Sequence, residues 1–241
     1  MDTTVHEIND DIYRLSTFIP EAGMNFNQFI VAGDEALLFH TGHRQLFPLV
    51  SAAASTVIDV TKLRYIAYGH FESDECGAMN QWLAAAPQAQ PVQGMTGVLV
   101  SLADFADREP RPLADGEVLD LGGRRVRWID TPHVPHGWDA GLVYEETTGT
   151  LLCGDLFTRM GETPALVDDD IVGPAIEAEN VFHDACITPQ SAPTLRRLAD
   201  LAPTTLGLMH GASYNGRDAA GALSALAGWF EQQLREPVTV G

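Results

Sequence analysis

The chain has 241 residues, 45% hydrophobic and 20% charged, enough for one large buried core or two small ones. Asp and Glu number 33 against 14 Lys and Arg, a formal charge of -19, and so acidic a surface repels phosphate backbones and anionic lipids, which argues against nucleic acid and membrane as partners. The N-terminal "MDTTVHEINDDIYRL" lacks the basic start and apolar core of a secretion signal, no apolar run nears the roughly 20 residues of a membrane span, and three cysteines without a CxxC pair suit a reducing, cytoplasmic setting.

Along the chain, "DIYRLST" alternates as a strand does, and "NFNQFIVAGDEALLFHTG" reads as two strands joined by a turn at Gly33-Asp34. "LFPLVSAAASTVI" reads as a helix, and "LRYIAYG" as a short buried strand that feeds a helix from Glu75 to Ala86. "GEVLDLGGRRVRWIDTP" gives two strands about Gly122-Gly123, and "AGLVYEETTGTLLCGD" a hairpin turning at Thr148-Gly149. Helices are expected over 174–186 and 190–201, then the strand "TTLGLMH", then the final helix "DAAGALSALAGWFEQQLR". Each half thus runs strands first and helices after. Residues 1–241 are expected to form one α/β domain, a four-layer αββα sandwich of two mixed sheets flanked by helices.

Four polar clusters follow apolar strands directly: "HFESDE", "TPHVPHGWD", "GDLF" and "HGASYNG". A rigid sheet fixes the loop that leaves it, so ligands and reactive groups gather at strand ends. Together the clusters supply His, Glu, Asp, His, Asp and His. In His70-x-Glu72-x-Asp74 alternate side chains share one face of an extended backbone. Imidazole and carboxylate suit iron, zinc or manganese without thiolate, and Asp155 can bridge two cations. His6, His43 and His183 have no companions at metal spacing and read as solvated or capping residues. "VDDD" at 167–170 lacks the Gly and the distal Glu of a calcium loop and reads as a solvated turn. Cys76 and Cys153 read as small buried side chains. Trp138 and Tyr144 are expected to wall the pocket; Tyr214 either does the same or donates a proton.

The order HxExDx, TPxxxH, GD and a last HG, with "ALLFHTG" ahead of them, resembles the metallo-β-lactamase fold superfamily over essentially the whole chain. Glu72, where most of that superfamily carries a second His, resembles the flavodiiron branch, which holds a non-haem diiron centre. The resemblance implies one metal on His70, Glu72 and His136, a second on Asp74 and His210, and Asp155 between them. Two positions depart from the pattern. Glu75 stands where the branch has His, and it coordinates, supports a ligand from outside or leaves the position to water. His40 stands where Asp is usual, either orienting a ligand or making a simple buried hydrogen bond. His136 is preferred to His133 as the ligand because superfamily members place that His eight residues before a strand aromatic, here Tyr144; "HGWD" also resembles the branch's "HWPD". His133 is left as a pocket residue, a proton donor or an outer contact.

Relatives of this branch continue into a flavodoxin-like domain with FMN, and this chain ends at Gly241, so no FMN is expected in it. The resemblance then implies a cytoplasmic protein with two irons that binds or reduces dioxygen, or nitric oxide, either as a sensor with a signalling partner or as a reductase served by a separate electron donor. Zinc or manganese are the alternative metals. With zinc, the alternative function is a dinuclear hydrolase of esters, lactones or thioesters. A homodimer is the remaining expected partner.

Overall fold

A computed structural model describes residues 1–235. Its strands form two mixed sheets of seven. The first follows chain order through β1 (Thr3–Asn9), β2 (Ile12–Ile19), β3 (Met24–Val31), β4 (Leu37–Phe39), β5 (Tyr65–Ala67), β6 (Gln90–Gly94) and β7 (Arg111–Leu113). It is antiparallel as far as β4 and parallel beyond it. The second contains β8 (Val118–Asp120), β9 (Arg125–Asp130), β10 (Gly141–Glu145), β11 (Thr150–Leu152), β12 (Leu166–Val167), β13 (Thr205–Gly207) and β14 (Ser213–Tyr214), in the order β12-β14-β13-β11-β10-β9-β8. Helices α1 (Phe47–Ala54), α2 (Ser73–Cys76), α3 (Met79–Ala85), α4 (Met95–Gly97) and α5 (Ala103–Phe105) connect the first sheet, and α6 (Val172–Phe182), α7 (Ser191–Ala199) and α8 (Ala219–Arg235) the second.

The alternation of strand side chains separates three cores. Leu37 and Phe39 of β4 meet Phe29, Trp128, Val143 and Leu152 between the sheets. Leu38 and Ile66 point the other way, to Val50 of α1 and Met79, Trp82 and Leu83 of α3. Leu151 and Leu206 leave the outer face of the second sheet for Leu195 and Leu198 of α7 and Leu223 and Phe230 of α8. At about 1.5–3 kcal/mol for each large apolar side chain taken from water, these cores hold the layers together. The expected αββα order is the one found.

Several elements differ from expectation. The helix expected over 75–86 is two pieces, because the Ala78 amide donates to the Gly42 carbonyl instead of continuing the turn. α6 stops at Phe182, where His183 takes a left-handed backbone with φ 53°. Strands β1, β6, β7, β12 and β14 were not expected; β12 and β14 have two residues each, too few to show a period.

The loops after β5, β9, β11 and β13 are joined by backbone hydrogen bonds. The Gly141 amide donates to Gly69 across the two sheets (2.9 Å), Met209 to Gly154 (2.9 Å), and Asn27 of β3 to Met209 (3.0 Å). The four polar clusters of the sequence therefore converge at one edge of the sandwich.

Candidate metal centre

His70 lies three residues past β5. Glu72 is extended (φ -134°, ψ 157°), so both side chains face the same way. Asp74 does not follow by that alternation: it belongs to the α2 turn and reaches the site from there. The loop after β9 brings in His136, the end of β11 Asp155, and the end of β13 His210.

One ligand atom each from His70, Glu72, His136 and Asp155 all lie within 4.8 Å of one another. Asp155 Oδ2 is 3.5 Å from His70 Nε2 and 3.3 Å from His136 Nε2, and Glu72 lies 3.7 Å from the first and 3.5 Å from the second. The other oxygen, Asp155 Oδ1, is 3.3 Å from His210 Nε2, which is also 3.3 Å from Asp74 Oδ2. Two groups of donors thus share one carboxylate, with an oxygen turned to each. His70 Nε2, His136 Nε2 and Asp155 Oδ1 are buried without a hydrogen-bond partner. Three imidazoles and three carboxylates converge here, Glu72 exposed, His136 half-buried and the other four buried, and with these orphaned polar atoms they fit two divalent cations of the iron, zinc or manganese kind.

The imidazoles are held from behind. His210 Nδ1 lies 3.0 Å from the Asn25 carbonyl, which can only accept, so the proton sits on Nδ1 and Nε2 faces the centre. Phe26 packs edge-on against the same ring at 4.9 Å. His136 Nδ1 is 3.4 Å from Asp184, just past the end of α6. Asp184 was not expected from sequence; it follows a helix end in an irregular segment and has no spacing to betray it. Met24, Thr158 and Phe182 join Glu72, His136, Asp155, Asp184 and His210 around an open cleft of about 300 Å³.

Other expected residues lie elsewhere. His133 is exposed, with φ 64°, and is outside the donor group. Tyr214 packs in the core between the second sheet and its helices, not on the cleft. Tyr144 donates to the Leu201 carbonyl, and Trp138 is 60% exposed beside a separate cleft with Thr96 and Asp130, so neither walls the site. Asp170 caps α6 through the Val172 amide, which accounts for "VDDD". Cys76 and Cys153 are buried, and burial pushes the Cys76 thiol up to about 12.

Without metal the centre binds protons instead. Burial alone would lower the three imidazoles, but the carboxylates around them win. Glu75, Glu72 and Asp155 push His70 up to about 11, Asp155, Asp184 and Glu72 push His136 to about 12, and Asp155 and Asp74 push His210 to about 10. Contacts from His136 and His70 bring Glu72 down to about 2. These imidazoles are raised above their unfolded value of about 6.5. Their stabilisation of metal-free protein is complete below that pH and is lost as pH rises through about 10 to 12. Chelated protein is therefore expected to show a falling melting temperature across that alkaline range. Metal-loaded protein should show much less of the fall, since a cation replaces the protons. Melting curves with and without chelator, from pH 6 upward, check this.

Two seven-stranded sheets with a His/Glu/Asp centre at their shared edge define a metallo-β-lactamase fold of the flavodiiron type. The profile of the ODP family beta lactamases matches residues 24–211, and the chain belongs to that family. A coenzyme F420H(2) oxidase of Methanothermobacter marburgensis is 25% identical over 236 residues, covering 90% of this chain and 57% of that protein. Rubredoxin oxygen:oxidoreductase from Desulfovibrio gigas superposes with a TM-score of 0.81 at 19% identity, over 95% of this chain and 62% of that one. The apo chemotaxis sensor ODP from T. denticola superposes with a TM-score of 0.73 at 20% identity, over 94% of each chain. At such identities the superpositions speak for the fold. The chain spans between a third and just over half of the length of curated relatives it matches.

Proposed function

We propose that this chain holds two iron ions and binds or reduces dioxygen, or nitric oxide. The observation that carries the reading is Asp155, whose two oxygens face two separate His/carboxylate groups. His70, Glu72 and His136 hold one ion, Asp74 and His210 the other, and Asp155 both. Glu72 supports iron over zinc, because an added carboxylate stabilises a more highly charged cation and weakens the Lewis acidity that hydrolysis needs. The family and the oxidase and oxidoreductase relatives support the same chemistry.

A bound diiron centre supplies electrons to a diatomic gas. The protein's part is to fix the donors and shape the approach. Asn25 and Asp184 set the faces of His210 and His136, and Met24 and Phe182 give the cleft apolar walls. Binding alone suits a sensor with a signalling partner, whereas repeated reduction needs a separate electron donor. No helix among the described residues is long and apolar enough to cross a membrane.

Protein purified without oxygen from cells supplied with iron and zinc is expected to carry close to two irons per chain. Its visible absorption should change on brief exposure to oxygen or nitric oxide. An iron-loaded sample indifferent to both gases would overturn the reading. The cleft of about 300 Å³ is far larger than a diatomic gas requires and keeps a zinc hydrolase of esters, lactones or thioesters as the second reading. Two zincs per chain and turnover of a lactone or thioester panel would establish it.

A further inference from the structure

We infer that Glu75 is not a metal ligand but a positioning residue, the middle member of a buried chain His40–Glu75–His70. Its side chain is fully buried. Oε2 accepts the His70 backbone amide at 2.5 Å. Oε1 lies 3.4 Å from His70 Nδ1 and 3.3 Å from His40 Nδ1. Oε2 is thus hydrogen-bonded on the side of His70 away from the donor group, and Oε1 faces both imidazoles there at ion-pair distance without hydrogen-bond geometry, while His70 Nε2 faces Glu72 and Asp155.

The surrounding backbone is shaped for this carboxylate. A Cβ on Gly69 would stand 2.9 Å from Oε2, and one on Gly154 would stand 3.4 Å from Oε1. A side chain at Gly69 would therefore displace Glu75. His40 holds a left-handed backbone, φ 69°, unusual for a residue with a Cβ, and this turns its fully buried ring toward Glu75. The two positions at which the sequence departs from the metal-loop pattern are thus in contact and work as one unit. A carboxylate behind a ligating imidazole fixes which nitrogen carries the proton and how the ring is aimed.

One consequence rests on the ligand set proposed above. With Glu75 occupied behind His70, the ion beside His210 draws on Asp74, Asp155 and His210 alone. The ion beside His70 has four side chains, so the two ions should differ in affinity and in the number of positions open to an exogenous ligand.

Nitrogen-15 NMR of the histidine rings tests the inference in both metal-free and zinc-loaded protein. The His70 Nδ1 proton is expected as a downfield signal protected from solvent exchange. Glu75→Gln keeps the shape and an acceptor, so the signal should persist but move upfield. Glu75→Ala should lose it to exchange and weaken the ion beside His70 by about 10- to 100-fold, the usual effect of removing an outer partner. If Glu75→Ala does not fold, Glu75→Gln and His40→Asn still decide, the latter by shifting the same His70 signal from one residue further away. The inference is overturned if Glu75→Gln leaves the His70 signal in place and removes only the ion beside His210, as loss of a ligand would. Should the native protein take up no iron, the proposed function falls, while the metal-free spectrum still answers for Glu75.

Discussion

Asp155→Ala is expected to empty both metal positions while leaving the fold intact. Every other donor belongs to one group; Asp155 alone faces both, with Oδ2 3.3 Å from His136 Nε2 and Oδ1 3.3 Å from His210 Nε2. The substitution removes one donor from each ion and the negative charge between two cations. Opposite unit charges about 4 Å apart attract by roughly 4 kcal/mol in surroundings of intermediate polarity, and here the lost attraction counts for both ions. Affinity should fall well beyond the roughly 10- to 100-fold typical of an outer partner. Metal analysis per chain, beside a circular dichroism spectrum matching the native protein, is the measurement. Asp74→Ala provides the contrast, since Asp74 contacts only His210. It should leave about one ion per chain where Asp155→Ala leaves almost none. Asp155→Asn keeps the side-chain volume and removes the charge, so equal losses in the Asn and Ala variants would assign the effect to charge.

The residues that converge are legible in the sequence because their polar clusters follow buried strands, although Asp74 reaches the cleft from the α2 turn and His136 from the loop after β9. "LRYIAYG", "TLLC" and "TTLGLM" are apolar runs long enough to recognise, and a polar residue at their end has little structural reason to be there. What supports the donors was largely hidden. Asp184 reaches His136 only because α6 ends at Phe182 and His183 reverses the backbone, an event with no glycine or proline to announce it. The Asn25 group that orients His210 is a backbone carbonyl, which any residue could supply. Tyr214 drew notice as a neighbour of His210 in sequence, yet it lies on β14, whose side chain at that position enters the helix-side core. Glu75 was legible as a departure but not in its role. Which side of His70 it occupies depends on how α2 breaks at Gly77, and on loop 41–42 taking the Ala78 amide.

His136 and His133 should separate sharply when each is replaced by Ala. They lie in one loop three residues apart, and spacing argued for His136 only by resemblance. The structure puts His136 Nε2 between Glu72 and Asp155 and leaves His133 facing solvent. Geometry gives the reason: Gly137 takes φ 77°, and the His133 amide donates to its carbonyl at 2.8 Å, closing a tight loop that directs the two rings apart. A Cβ on Gly137 would also come within 3.0 Å of His70 Cβ, so this loop can pack against His70 only with glycine there. His136→Ala removes the imidazole that opposes Asp155 and Glu72, and it takes the imidazole contact from Asp184, leaving Glu179 beside it. The ion beside His70 should then be lost, with affinity reduced by more than about 100-fold, since a direct donor exceeds an outer one. Zinc or iron titration should fall from two binding events to one, the survivor resting on Asp74, Asp155 and His210. His133→Ala should leave both events and any gas-induced absorption change as they are. The reverse pattern would transfer the ligand role to His133 and require the loop to turn over when metal binds.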